Sequence, residues 1–343
     1  MSRQHWKPLL FCLIAFVIAR QADCQLTGSE GSQELRLATT GDRTSSPVVT
    51  AIALHPSGSY LAAAGDDHVI RIVSQDDFEE VVALDRHQDW VRTLDFSPQG
   101  DLMVSAGNDG KVVFWNTSPE WKIKQTLTGA PALACARFSP VGNLVAAVGF
   151  DPQLFLIQPG GNVRPPMKCG CNDMRAVAFS DDMRLLVSAG RSGRVHLFDP
   201  GSGESAGEFE LHSARIHDLA FLPGSDTLVS VGEDRRVVVF DTLNGEVLHK
   251  IPIPGCKLFT VAALDSSRIA VGGASNQIRV IDTSRGRIEK TLSGHSGSIA
   301  VLKANSRYLF SGSYDATIRR WSIADVLEQP RTVQRADDPA PVR

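Results

Sequence analysis

Apolar or alternating stretches of about six residues recur along the chain, separated by short polar turns. Residues 90–96 read WVRTLDF, an alternating stretch, and residues 97–100 read SPQG, a turn. LMVSAG at 102–107 is a second short strand, Asn108-Asp109 a tight turn, and KVVFW at 111–115 a nearly continuous apolar strand. Strands this short, punctuated by Pro-Gly and Asn-Asp turns, predict an antiparallel meander. An apolar run that does not alternate predicts burial on both faces, as when one sheet lies between two others.

The pattern repeats. A large apolar or aromatic residue returns every 40 to 42 positions, at Val73, Trp115, Ile157, Phe198, Phe240, Ile281 and Trp321. Six residues before each stands Asp67, Asp109, Asp151, Ser192, Asp234, Ser275 or Asp315. Ten before each stands Ala63, Ser105, Ala147, Ser188, Ser230, Val271 or Ser311. Seven copies in register predict seven small sheets, each needing neighbours to cover its faces. Closing them into a ring removes exposed edges, so an all-β chain of this kind is expected to be circular.

These residues resemble the WD-repeat β-propeller family over residues 34–322. The family's Gly-His opening survives as Gly294-His295 and in degraded form as Arg86-His87 and Leu211-His212. The Trp-Asp pair is lost: Asn116 follows Trp115 and Ser322 follows Trp321, while Phe198-Asp199, Phe240-Asp241 and Ile281-Asp282 keep only the Asp. The resemblance implies seven four-stranded antiparallel blades. It also implies a hydrogen-bonded set tying three strands of a blade together. Copy two has the full set in His87, Ser105, Asp109 and Trp115, and copy seven has it in His295, Ser311, Asp315 and Trp321. Copy five has His212, Ser230 and Asp234, but Phe240 brings no indole N–H. The other four have Ser45, Gly129, Gly170 and Gly255 at or near the His place, and are expected to rely on apolar packing. No fourth strand follows Trp321, so a strand at Glu34–Leu37 is expected to complete the last blade, with residues 25–33 as a flexible leader. Residues 323–343 are expected to form a mostly disordered tail with one helical turn at Ala324–Glu328.

Residues 1–24 differ from the rest. Arg3 and Lys7 precede an unbroken apolar run from Leu9 to Ala19, too short to span a bilayer, which needs about 20 residues. The pattern predicts a signal peptide and export to a periplasmic or secreted location, with no membrane span in the mature chain. The sequence admits cleavage after Cys24, cleavage after Ala19 or lipidation of Cys24. Cys135 reads as a small core residue, and Cys169-Gly170-Cys171 as a structural loop with a strained disulfide as the alternative.

Charged residues are 21% of the chain, apolar residues 43%, and the formal charge is −3 without a basic block. Nucleic acid is therefore not an expected partner, because phosphate binding needs clustered cations. No GxSxG elbow is present, and Ser, His and Asp recur in three copies, whereas an active site occurs once. No ligand set for a metal and no cofactor motif is visible. The expected function is a noncatalytic, monomeric scaffold that binds a protein or peptide. The alternative is a propeller enzyme or small-ligand binder using the central channel, for which no carboxylates or histidines converge at channel-facing positions in the sequence. Carried over by position, the binding face has Asp66, Asn108, Phe150, Arg191, Glu233, Ala274 and Tyr314 before the turn residues. The starts of the first strands give Val48, Trp90, Ala132, Asp173, Arg215, Leu258 and Ser298. Asp66, Trp90, Asn108, Phe150, Arg191, Arg215, Glu233 and Tyr314 are the candidate binding residues, being rich in interface-anchoring types.

Overall fold

A computed structural model describes residues 32–39, 45–168 and 172–328. The apolar run at 9–19, Cys24, most of the leader, Cys169 and Cys171, and the chain beyond Glu328 lie outside the described residues. Seven four-stranded antiparallel sheets follow one another, at 49–85, 91–127, 133–168, 174–210, 216–252, 258–293 and 299–322. The seventh is completed by the strand Ser32–Arg36, which pairs antiparallel with Thr317–Ser322. The result is an all-β, seven-bladed propeller closed by its N-terminal strand.

The core sits between neighbouring blades. Ile70 and Ile72 of blade 1 pack with Leu94, Met103 and Trp115 of blade 2, and Phe114 of blade 2 packs with Ala136, Phe138 and Ile157 of blade 3. This explains the apolar third strands: Val112–Trp115 and Val237–Phe240 are buried throughout, with a neighbouring blade on each face. Burying one Val, Leu or Ile contributes about 1.5–3 kcal/mol. The outermost strands alternate or stay polar, as in Lys122–Leu127, because only one face has a neighbour.

Every blade carries the same irregularity. Register shifts between the first and third residues of the innermost strand, from Val49/Ala51 in blade 1 to Ile299/Val301 in blade 7. The second residue is the extra residue of a β-bulge, which re-aims its side chain. A glycine facing the bulge makes room for it in six blades. A Cβ on Gly107 would lie 2.1 Å from the Trp90 carbonyl oxygen, and one on Gly273 would lie 1.9 Å from that of Lys257. Blade 7 has Ser313 instead, and a Cβ on the neighbouring Gly297 would lie 3.1 Å from its Oγ. Gly273→Ala is expected to cost about 1–3 kcal/mol through the backbone shift it forces. A urea midpoint equal to the parent's would show that the bulge yields without cost.

The tied sets are built as continuous chains of donors. Trp115 Nε1–H donates to Ser105 Oγ at 2.9 Å, Ser105 lies 2.8 Å from His87 Nε2, and His87 Nδ1 lies 3.1 Å from Asp109. The Ser hydroxyl accepts from the indole and so donates to Nε2, leaving Nδ1–H to face the carboxylate. Burial keeps the His87 imidazole below its ordinary pKa against the pull of Asp109, in accord with a neutral ring. Blade 7 repeats the chain from Trp321 through Ser311 and His295 to Asp315, at 3.0, 2.8 and 3.0 Å. In blade 5, His212 lies 2.8 Å from both Ser230 and Asp234, and Phe240 stands where the indole would be.

Two of the four blades without the His depart from the expected apolar packing. In blade 1 a buried guanidinium takes the place: Arg71 Nη2 lies 2.6 Å from Asp67 and donates to the Ala38 carbonyl at 2.9 Å. In blade 6 it is Cys256, one residue beyond Gly255, whose sulfur accepts from the Ser275 hydroxyl at 3.1 Å. Ring closure is also polar. Arg319 donates to Ser32 Oγ at 3.1 Å and pairs with Glu34, while Arg320 reaches Gln33. Leu35 adds an apolar contact within the cluster of Val49, Phe310 and Ile318. The closing strand begins before Glu34, so Ser32 and Gln33 belong to it and not to a leader. A helix at Ile323–Leu327, capped by Ser322, follows the last strand.

Candidate binding face

The seven bulges put one side chain per blade at the mouth of the central channel: Thr50, Arg92, Ala134, Arg175, His217, Phe259 and Ala300. Together with Tyr314 these residues line a cavity of about 320 Å³. This ring was not legible in the sequence. Its signal was present as a step of 41 or 42 residues, but a bulge breaks strand alternation, so the position cannot be assigned by counting from the core residues.

Six of the eight candidate residues are drawn together around this mouth. Asn108 Oδ1 accepts from Arg92 Nε at 3.1 Å, and the Arg92 guanidinium lies 4.6 Å from the Trp90 ring. Arg175 stacks over Phe150 at 4.5 Å, with its Nε 2.6 Å from Asp173. Arg215 bridges Asp173 at 2.6 Å and Glu233 at 2.8 Å. His217 and Lys257 also reach Glu233, at 3.1 and 3.3 Å. Phe150 and Tyr314 remain 40% and 46% exposed, so the face presents aromatic surface beside fixed charge. Asp66 and Arg191 stand apart. Asp66 caps blade 1 by accepting the Val48 N–H at 2.9 Å, and Arg191 is exposed, bonded through its backbone N–H to the Asp173 carbonyl. In blade 6 the position expected at Leu258 belongs to Lys257, since Leu258 is a buried core residue.

Glu233 is the hub of the face. Burial opposes its ionisation, but hydrogen bonds from His217, Lys257 and Arg215 outweigh it and hold the carboxyl at about 2. A depressed acid contributes stability that is complete above its unfolded pKa and is lost as pH falls through the folded value. Thermal stability is therefore expected to decline between about pH 4.5 and pH 2 more steeply in the parent than in Glu233→Gln. Parallel pH profiles of melting temperature would remove Glu233 from that role.

Deeper in the channel the expectation that no carboxylates converge is overturned. Arg137, Asp218 and Lys303 line a cavity of about 110 Å³, with Cys135 beside them. Asp95 lies close by: burial raises its pKa against the pull of Arg137 and Lys303, and burial lowers that of Lys303. Both carboxylates are bound into the scaffold. Asp95 accepts the Phe138 N–H of the next blade at 2.7 Å, and Asp218 accepts the Val261 N–H at 3.0 Å. This arrangement joins inner strands of adjacent blades and balances two acids with two bases. Among the described residues no group of three or more His, Cys, Asp or Glu is placed to hold a metal ion. None of their helices is long and apolar enough to cross a membrane.

Seven four-stranded blades around a channel with a built polar mouth define a repeat propeller. The WD domain, G-beta repeat profile matches residues 35–74, 78–116, 167–199, 203–241 and 286–322, more than half of the chain. The chain belongs to this family. The two copies outside the match are the third and sixth, which have Ala147 and Val271 at the Ser position. Relatives include nuclear distribution protein PAC1 of Coccidioides posadasii, 27% identical over 84% of this chain and 60% of the relative. PAC1-1 of Uncinocarpus reesii is 28% identical over 84% of this chain and 62% of its own length. Nuclear distribution protein nudF of Aspergillus niger is 26% identical over 80% and 59%. The chain thus spans about 60% of the length of these relatives. They correct the expectation of export. Proteins named for nuclear distribution work inside the cell, so the signal-peptide, secreted and periplasmic assignments are withdrawn. A short apolar run beside two cations is a weak signal, shared by segments that are never cleaved.

Proposed function

We propose that this chain is a noncatalytic scaffold that binds a protein or peptide through the face at the channel mouth. One observation carries the reading. Side chains from blades 3 to 6 form a continuous network there, from Phe150 through Arg175, Asp173, Arg215 and Glu233 to Lys257, with the Arg92 set of blade 2 and exposed Tyr314 beside it. Preorganisation of this kind lowers the entropy lost on association. Membership of the family and similarity to the nuclear distribution proteins support the same class. The polar groups deeper in the channel are engaged in joining blades, which favours a scaffold over channel chemistry. The test is affinity capture from cell extract with the full chain and with a Trp90→Ala/Tyr314→Ala variant. A protein retained by the parent and lost from a variant with an unchanged melting temperature is the expected result. Equal capture by both would place the binding surface elsewhere.

A further inference from the structure

We propose that the channel mouth is a carboxylate clamp, in which the guanidinium groups of Arg92 and Arg175 receive an acidic side chain from a peptide segment of the partner. This rests on the scaffold reading and names the chemistry of its occupant. The two arginines hold the bulge positions of blades 2 and 4. Between them, at the same position of blade 3, stands Ala134, whose single methyl leaves the space between the guanidinium groups open.

Each guanidinium is held from behind. Arg92 is fixed by Asn108 through Nε and by the Trp90 ring, and Arg175 by Asp173 near Nε and by the Phe150 ring. The Nη groups of both make no hydrogen bond among the described residues. Two fixed forks with free outer donors suit a planar carboxylate, which accepts two parallel N–H bonds. Burial lowers the pKa of Arg92, and the like charge of Arg175 adds to the effect against the pull of Tyr314 and Asp89.

The local charges argue for a monoanion. Arg92, Arg175, Arg215 and Lys257 face Asp89, Asp173 and Glu233, while burial keeps His217 below its ordinary pKa. One positive charge is left over. A single carboxylate meets it, whereas a dianionic phosphate exceeds it. On the far side of the mouth Phe259 and Tyr314 offer aromatic surface to the apolar part of the incoming segment.

The test uses the full chain and three fluorescein-labelled hexapeptides: hexaglutamate, hexaglutamine and a hexamer of alternating phosphoserine and glycine. Anisotropy at low ionic strength is expected to show hexaglutamate binding at least 10-fold more tightly than either of the others. Arg92→Gln and Arg175→Gln are each expected to weaken it at least 10-fold, and Arg175→Lys several-fold, because the fork is lost while the charge stays. Arg184→Gln, on an exposed turn remote from the mouth, is expected to change it less than 2-fold. Should the Gln variants fail to fold, Arg175→Lys carries the comparison. Absence of hexaglutamate binding, indifference to both arginines, or tighter phosphoserine binding would each overturn the clamp. Partner capture that needs Trp90 and Tyr314 but survives Arg92→Gln/Arg175→Gln would remove the clamp and leave the scaffold standing.

Discussion

Asp67→Ala is expected to destabilise the protein by about 3–5 kcal/mol, the loss found when one partner of a buried ion pair is removed. The side chains of Asp67 and Arg71 are 1% and 2% exposed, so water cannot replace the carboxylate. The remaining contacts of Arg71 are the Ala38 carbonyl and, at 3.7 Å, Glu80, neither placed as Asp67 is. The pair itself contributes less than its removal costs, because both charges lost their hydration on folding. Asp67→Ala/Arg71→Met is therefore expected to regain most of the loss, with the methionine filling the stem's place. Urea unfolding of the parent, the single and the double variant measures this. A double variant as unstable as the single one would move the loss from the unpaired charge to packing.

His295→Ala is expected to cost about 3 kcal/mol, from one bond to a charged partner and one to a hydroxyl. Burial opposes ionisation of Asp315, yet bonds from His295 and Thr317 and the Ser296 N–H prevail and hold the carboxyl well below its ordinary range. Its contribution is complete above about pH 3.8 and is lost as pH falls through the folded value. The gap between parent and variant in unfolding free energy should thus be full at pH 7 and narrower at pH 3. A gap independent of pH would assign the loss to the cavity left by the imidazole and not to the carboxylate.

The repeat was legible because core positions recur with a nearly constant step, and burial on both faces admits few residue types. All seven core positions from Val73 to Trp321 are buried. The His-Ser-Asp sets were legible for a related reason, since a buried polar chain needs each member at its place. Arg71 was not, because a guanidinium on the third strand answers the same need from a different backbone position. Cys256 was missed by one residue. The mouth ring was hidden by the bulges, which shift alternation by one in every blade. Trp90, Asn108, Phe150, Arg215, Glu233 and Tyr314 could be placed near the mouth because the turns that carry them are counted from the core. Their partners Arg92, Arg175 and His217 could not, since they sit on the bulge itself.

The closing strand sets the timetable of the molecule's birth. Glu34 and Arg319 are 285 residues apart, so the closing strand waits for a partner made 285 residues later. At a synthesis rate of about 5–20 residues per second the interval is roughly 15–60 s. Throughout it, blade 7 is missing, and the apolar face of blade 1 around Ile52 and Leu61 lacks the Phe310 and Ile318 that later cover it. Non-local closure of this kind is slow to nucleate. The nascent ring is thus a protein whose first blade spends its early life as a sticky edge, and whose protection in the cell matters most before the strands of blade 7 have appeared.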